Sequence, residues 1–177
     1  TREDGSLWVY LETIGGGGGA RPKADGLSGV HVHMTNTSNL PVEALELEYP
    51  LTLLRYELVN GSAGGGAHRG GMGLRRVYRA EAACMLSLHA ARFKSRPWGL
   101  AGGLAANGSY ANFGDGRTNL VGSIPLVPGQ VVEIVTPGGG GYGDPSKRSA
   151  EDVARDIAEQ RITPEFAERT YGRTASP

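Results

Sequence analysis

Residues 131–145 read VVEIVTPGGGGYGDP: a short β-branched run, a proline, then Gly138-Gly139-Gly140-Gly141 before the next side chain, Tyr142. Val131–Val135 predicts a strand, and Pro137 ends it. Four successive glycines have no packing value of their own and lose much freedom on ordering. Something must therefore approach that backbone closely. The expectation is an interface with another part of a larger assembly, built from Gly138, Gly139, Gly140 and Gly141. In that interface Tyr142 buries its ring as an anchor, and Asp144 accepts hydrogen bonds from backbone N–H groups beside Pro145. The bland alternative is an exposed tether to the C-terminal segment.

The same pattern recurs outward from this stretch. Glycine makes up 29 of 177 residues, about twice the ordinary usage of roughly 7%. The glycines cluster at 15–19, 64–66, 70–73, 102–103 and 138–141, without the three-residue period of collagen. Between the clusters lie apolar segments able to form a core. Leu7–Ile14, Gly29–Met34, Ala44–Tyr49, Leu51–Val59, Leu74–Ala80 and Leu120–Leu126 predict strands, and Ala82–Leu88 a strand or a short helix. Asn60-Gly61 and Pro128-Gly129 mark turns. Short strands separated by turn signals predict a mainly β fold, sandwich or barrel-like, with Gly-rich loops.

The character changes after residue 145. Ser149 precedes Glu151 and Asp152, an N-cap followed by acids in the first turn, and Val153, Ala154, Ile157 and Ala158 suggest one helical face. Thr163-Pro164-Glu165 opens a second helix with proline at its first position, and Gly172 can stop it. The sequence thus predicts a helical hairpin over 149–171. Residues 1–145 form the β-rich part, and 146–177 form a tail packed on it or on a partner.

Composition excludes several classes. The 18 basic and 18 acidic residues are scattered and sum to zero charge, so the basic footprint of a nucleic-acid binder is missing. No apolar run approaches the ~20 residues of a membrane span. Cys84 is the single cysteine, which precludes an internal disulfide and suits the cytoplasm; its apolar neighbours read as core. The Asn-X-Ser triplets at Asn36, Asn60 and Asn107 read as accidental. The N-terminal Thr1-Arg2-Glu3-Asp4 has neither an initiator methionine nor a signal core, and the expectation is a fragment of a longer chain.

Few motifs carry chemistry. Gly15–Ala20 fits G-x-G-x-x-[GA] formally, but Arg21-Pro22-Lys23 follows where a phosphate-binding helix should open. A loop passing close to a ligand or another chain, through Gly15, Gly16 and Gly17, is the better reading. Lys23, Lys94 and Lys147 all follow non-glycine residues, so no phosphate loop is present and ATP needs another chain. His31 and His33, two apart on a predicted strand, point to one side, toward the Gly15–Gly19 loop. They are weak metal-ligand candidates, since Glu46, Glu48 and His68 could complete a shell only through the fold. Thr35 and Asn36, with Thr37, form a polar cluster beside them that could hydrogen-bond a substrate amide or only shape a turn. No nucleophile elbow occurs.

Taken in order, LWVYLETIGGGGGARP (7–22), GVHVHMTNTSNLPVEALELEYPL (29–51), RYEL (55–58), GGGAHRGGMGLRR (64–76), TPGGGGYGDP (136–145) and SAEDVARDIAEQRITPEFAERTYG (149–172) resemble the C-terminal third of the hydantoinase B/oxoprolinase family. The resemblance covers nearly the whole chain. It implies a B-type subunit working with an A-type subunit that carries an actin-like ATP site with its Mg. Together such subunits open cyclic amides such as hydantoins or 5-oxoproline; related members carboxylate acetone or acetophenone. The metal-ligand histidines and acid of the family lie upstream of this region. The resemblance therefore implies part of an ATP-dependent cyclic amide hydrolase, with a ketone carboxylase or a non-catalytic, interface-building role as alternatives.

Overall fold

The computed structural model describes residues 5–32 and 35–173. Helix α1 (Val42–Glu48) is followed by strands β1 (Leu51–Leu58), β2 (Leu74–Ala80), β3 (Cys84–Leu88), β4 (Tyr110–Asn112), β5 (Gly122–Leu126) and β6 (Val131–Val135), then helices α2 (Ala150–Ala158) and α3 (Pro164–Tyr171). Four strands form an antiparallel sheet in the order β1-β2-β6-β4, and β3 pairs with β5 in a second, two-stranded sheet. The two sheets face each other across one apolar core of Ala80, Leu88, Ala111, Phe113, Ile124, Leu126, Val132 and Ile134. Cys84 packs at the margin of this core, and burial pushes its thiol above the ordinary range. Among the described residues no helix is long and apolar enough to cross a membrane.

The predicted mainly β architecture with a helical hairpin is what the chain adopts, with three local corrections. Leu7–Ile14 forms no strand. Of Gly29–Met34, only Val30 makes a β-bridge, to Gly16; His33 and Met34 lie outside the described residues. Ala44–Tyr49 is largely helical, not a strand. The sequence VEALELEY suits both periods, but Val42, Leu45 and Tyr49 fall at i, i+3 and i+7, one helical face. Leu45 is buried while Leu47, which strand alternation would have turned inward with it, is 89% exposed. Sequence reasoning missed β4, a strand of three residues.

Both C-terminal helices form for the reasons their sequences suggest. Ser149 accepts from the Asp152 N–H and Thr163 from the Phe166 N–H, each satisfying a donor that the helix cannot. Gly172, at φ 63°, takes the left-handed position that ends α3. The buried stripe of α2 differs from expectation: Val153 and Asp156 point inward, while Ala154 and Ala158 are exposed. Val153, Ile162, Ala167 and Tyr171 form a second apolar cluster.

The glycine clusters build a third layer. Gly17 N–H donates to Pro137 O at 2.9 Å, Gly71 to Gly18 O at 2.9 Å, Gly139 to Gly71 O at 2.9 Å, Gly64 to Gly139 O at 2.9 Å and Gly141 to Leu104 O at 3.0 Å. Extended strings without side chains thus lie backbone against backbone, and each of these N–H groups finds a carbonyl on a neighbouring string. A Cβ added at Gly70 would sit 1.8 Å from Gly139 O, and one at Gly139 1.9 Å from Gly18 O. This is the close approach that Gly138–Gly141 require, and within this chain it comes from neighbouring strings of the same chain. All four are buried against this chain's own residues, including Ser62, Gly65 and Trp98. Tyr142, half-buried, exchanges backbone hydrogen bonds with His68 at 2.9 Å, and the Asp144 carboxylate accepts from Ser146 N–H at 2.9 Å.

Candidate functional site

The strip Tyr10–Gly17 and the segment from Val30 to Asn39 are drawn together at both ends. Gly16 and Val30 exchange backbone hydrogen bonds at 2.9 and 2.8 Å, and Thr13 Oγ1 donates to Thr37 Oγ1 at 3.0 Å. His31 Nδ1 lies 2.9 Å from Thr35 Oγ1. Gly16 is thus tied to Val30, the neighbour of His31, and His31 to Thr35, while the Gly17 N–H donates to Pro137 O. Gly15 and Gly17 spend their closest approaches on this chain's own backbone: a Cβ added at each would meet Gly29 O at 2.9 Å and Gly71 O at 2.1 Å. Asn36 is exposed on a backbone at φ 37°. His33, the second weak ligand candidate, falls outside the described residues.

Two of the residues that could complete a metal shell are engaged elsewhere. Glu46 accepts from Leu53 N–H at 2.9 Å, and His68 sits 3.8 Å from Asp25 in a different cluster. Among the described residues, no group of three or more His, Cys, Asp and Glu side chains could hold a metal ion.

The denser chemistry lies where this strip meets β2. The burial of β2 alternates, with Leu74, Arg76, Tyr78 and Ala80 inward. Arg76 is 4% exposed. Its Nη1 donates to Glu12 and, at 3.0 Å, to the Tyr78 hydroxyl; its Nη2 donates to Asn39 Oδ1 at 2.6 Å. The hydroxyls of Tyr78 and Tyr10 both donate to Glu12. Burial first, and then Glu12, push the Tyr78 hydroxyl far above the ordinary phenol range. Burial and the Glu12 charge push Tyr10 up to about 12. Desolvation works against the Arg76 charge, but its bonds to Tyr78 and the Glu12 charge hold it above the ordinary arginine range. Both phenols thus stay protonated and aimed at one carboxylate.

A second cluster is structural in placement. Arg69 and Arg148, at 0% and 2% exposure, converge on Asp25 and on Asp156 of α2. Burial raises the Asp25 carboxyl, but the Arg148 guanidinium together with the Arg69 N–H and charge more than cancels it, so Asp25 titrates below its ordinary 3.8. This cluster pins α2 to the glycine layer.

A family model for hydantoinase B/oxoprolinase matches residues 1–145. The chain belongs to the hydantoinase B/oxoprolinase family. It is 45% identical over 171 residues to an uncharacterised protein of Methanocaldococcus jannaschii, covering 94% of this chain and 30% of that protein. To a candidate B-type subunit of a D-/L-hydantoinase from Pseudomonas sp. (strain NS671) it is 34% identical over 176 residues, covering 96% of this chain and 30% of the relative. The crystal structure of ATP-dependent caprolactamase from Pseudomonas jessenii superposes with a TM-score of 0.76 at 26% identity, over 92% of this chain and 30% of that one. The chain therefore spans about 30% of the length of these relatives.

Sequence reasoning missed Glu12, Arg76 and Tyr78 as a unit, although a signal existed. In LRRVYRA the alternation that buries Leu74 and Ala80 must also bury Arg76 and Tyr78, and a buried arginine needs an acid. Asp156 carried the same signal, an acid one turn from Val153 on the inward stripe of α2.

Proposed function

We propose that this chain forms part of an ATP-dependent cyclic amide hydrolase that opens rings of the hydantoin, 5-oxoproline or lactam class. The observation that carries this is the fold shared with ATP-dependent caprolactamase over 92% of the chain at 26% identity. The relative named as a B-type hydantoinase subunit supports it, and supports the working partnership with a second, A-type subunit.

In this proposal ATP sits on another chain. Phosphate cradles need free backbone N–H groups, and those of Gly17, Gly18, Gly64, Gly70, Gly71, Gly139 and Gly141 are already donated to carbonyls within the layer. Nucleotide, Mg and the phosphorylation that activates a poor amide electrophile are accordingly assigned to the A-type partner. A divalent metal is assigned to upstream parts of the B-type chain. What this chain contributes is a rigid wall. The glycine layer holds the Gly16–Gly17 end of the strip Tyr10–Gly17, which presents Tyr10 and Glu12, and the Gly16–Val30 bridge sets His31 beside it. The side chains of Leu7, Val9 and Leu11 are exposed and suit contact with the rest of the assembly. The lone Cys84 suits a cytoplasmic enzyme.

The test is turnover by the full-length parent chain co-purified with its partner, with 5-oxoproline, hydantoin, ε-caprolactam and acetone plus bicarbonate as substrates. ATP-dependent ring opening is the expected result. Ketone carboxylation without ring opening would overturn it in favour of a carboxylase.

A further inference from the structure

Between the two sheets lies a cavity of about 150 Å³. Leu51, Leu86, Leu88, Leu126, Val132 and Ile134 make most of its wall apolar, and Tyr10, Glu12 and Tyr78 make one polar corner. An apolar cavity of roughly this size, ~150 Å³, holds a single benzene-sized ring. A nucleotide or a peptide side chain with a long polar head does not fit it.

The polar corner has a directional bias. A carboxylate offers about four lone-pair positions, and a phenol one proton. Glu12 Oε2 accepts from the Tyr10 hydroxyl and from Arg76, and Oε1 accepts from the Tyr78 hydroxyl. Among the described residues one Glu12 lone pair is left over, while both phenol protons are committed. Ser87, the other polar side chain on the lining, has its Oγ 3.3 Å from His89 Nε2. The corner accepts hydrogen bonds and has no phenol proton to give.

We propose that this cavity binds one small uncharged ring carrying an N–H donor, its carbons against the apolar walls and its N–H on the remaining Glu12 lone pair. An anion is disfavoured by the carboxylate, and a ketone or ether finds both phenol protons already on Glu12, with Ser87 the one other hydroxyl on the lining. The N–H requirement rests on the cavity alone. The choice of a cyclic amide among such rings rests on the proposed function.

The experiment is calorimetric titration of the full-length parent complex, without ATP, with 2-piperidone and with N-methyl-2-piperidone. The N–H lactam binds at least tenfold tighter than its methylated counterpart. Ala80→Leu and Leu86→Phe fill the cavity and weaken 2-piperidone at least tenfold with the melting temperature held within a few degrees. Glu12→Gln erases the preference for N–H over N-methyl; if it lowers the melting temperature strongly, the two filling variants decide. Equal affinity for the two lactams, no binding of either, or unchanged binding in both filling variants overturns the proposal. The two claims also fail separately. Selective 2-piperidone binding without turnover of any cyclic amide sinks the proposed function and keeps the cavity site. Ring opening with an unaltered KM in both filling variants does the reverse.

Discussion

Gly19 and Gly139 both belong to glycine runs, and they stand in opposite surroundings. Around Gly139 a methyl group would meet Gly18 O at 1.9 Å, with backbone on all the nearest sides. Around Gly19 the nearest atom is Gly140 O at 4.0 Å, and the residue is exposed. Overpacking typically costs about 1–3 kcal/mol where side chains can shift, and here the obstacle is main chain. Gly139→Ala is therefore expected to lose more than ~3 kcal/mol or fail to fold. Gly19→Ala should fall within about 1 kcal/mol of the native chain, on the stabilising side if its unfolded-state entropy dominates. Urea unfolding of the two variants compares them directly. Equal losses would mean that the runs tolerate or reject side chains by composition, not by contact.

At the scale of elements, α2 is held both by charge, through Asp156, and by its apolar contact, through Val153. Asp156 is 2% exposed and bonded to both Arg69 and Arg148. Removing one member of such a buried pair leaves uncompensated charge and typically costs about 3–5 kcal/mol. Asp156→Ala should lose that much, whereas Glu159→Ala, which breaks only the exposed pair with Arg161, should lose under ~1 kcal/mol. Denaturant midpoints of both variants check this; a mild Asp156→Ala would leave Val153 and Ile162 as the real anchors. The two C-terminal helices are legible in the sequence because caps are local: Ser149, Thr163-Pro164 and Gly172 each act within a few residues. The paired strands β2 and β6 are legible for a similar reason, in the two-residue alternation of burial. Helix α1 misleads because VEALELE satisfies both periods and only tertiary contact with Leu45 chooses between them. The partner of Gly138–Gly141 is not legible at all. A glycine carries no side-chain pattern, so nothing local in residues 138–141 points to Gly18, Ser62 or Trp98. The polar corner is half legible, since alternation in β2 demands an acid for Arg76 but cannot say that Glu12 supplies it.

For the whole molecule, acid is the informative perturbation. Asp25 ties residues from opposite ends of the chain through Arg69 and Arg148, and its folded value lies below the ordinary 3.8. A depressed carboxylate contributes stability that is present above its unfolded value and lost as pH falls through its folded one. The stability gap between the native chain and Asp25→Asn is thus expected to stay flat from about pH 7 to about pH 5 and to narrow below the ordinary aspartate value. Denaturant titrations across that range measure the gap; narrowing already between pH 7 and 5 would contradict the assignment to Asp25. The glycine layer acts at the same scale, and it has a bearing on how the molecule is made. Its strings come from residues 15–19, 64–73 and 138–141, and each supplies hydrogen-bonding groups that the others need. On a ribosome the first string emerges long before the last exists. Until the final string is out, the Gly17 N–H lacks Pro137 O and the Gly64 N–H lacks Gly139 O. The first two strings can already pair with each other, Gly71 N–H on Gly18 O, but these two donors wait in water until the last string arrives, and the layer closes with the slowness that distant pairings impose.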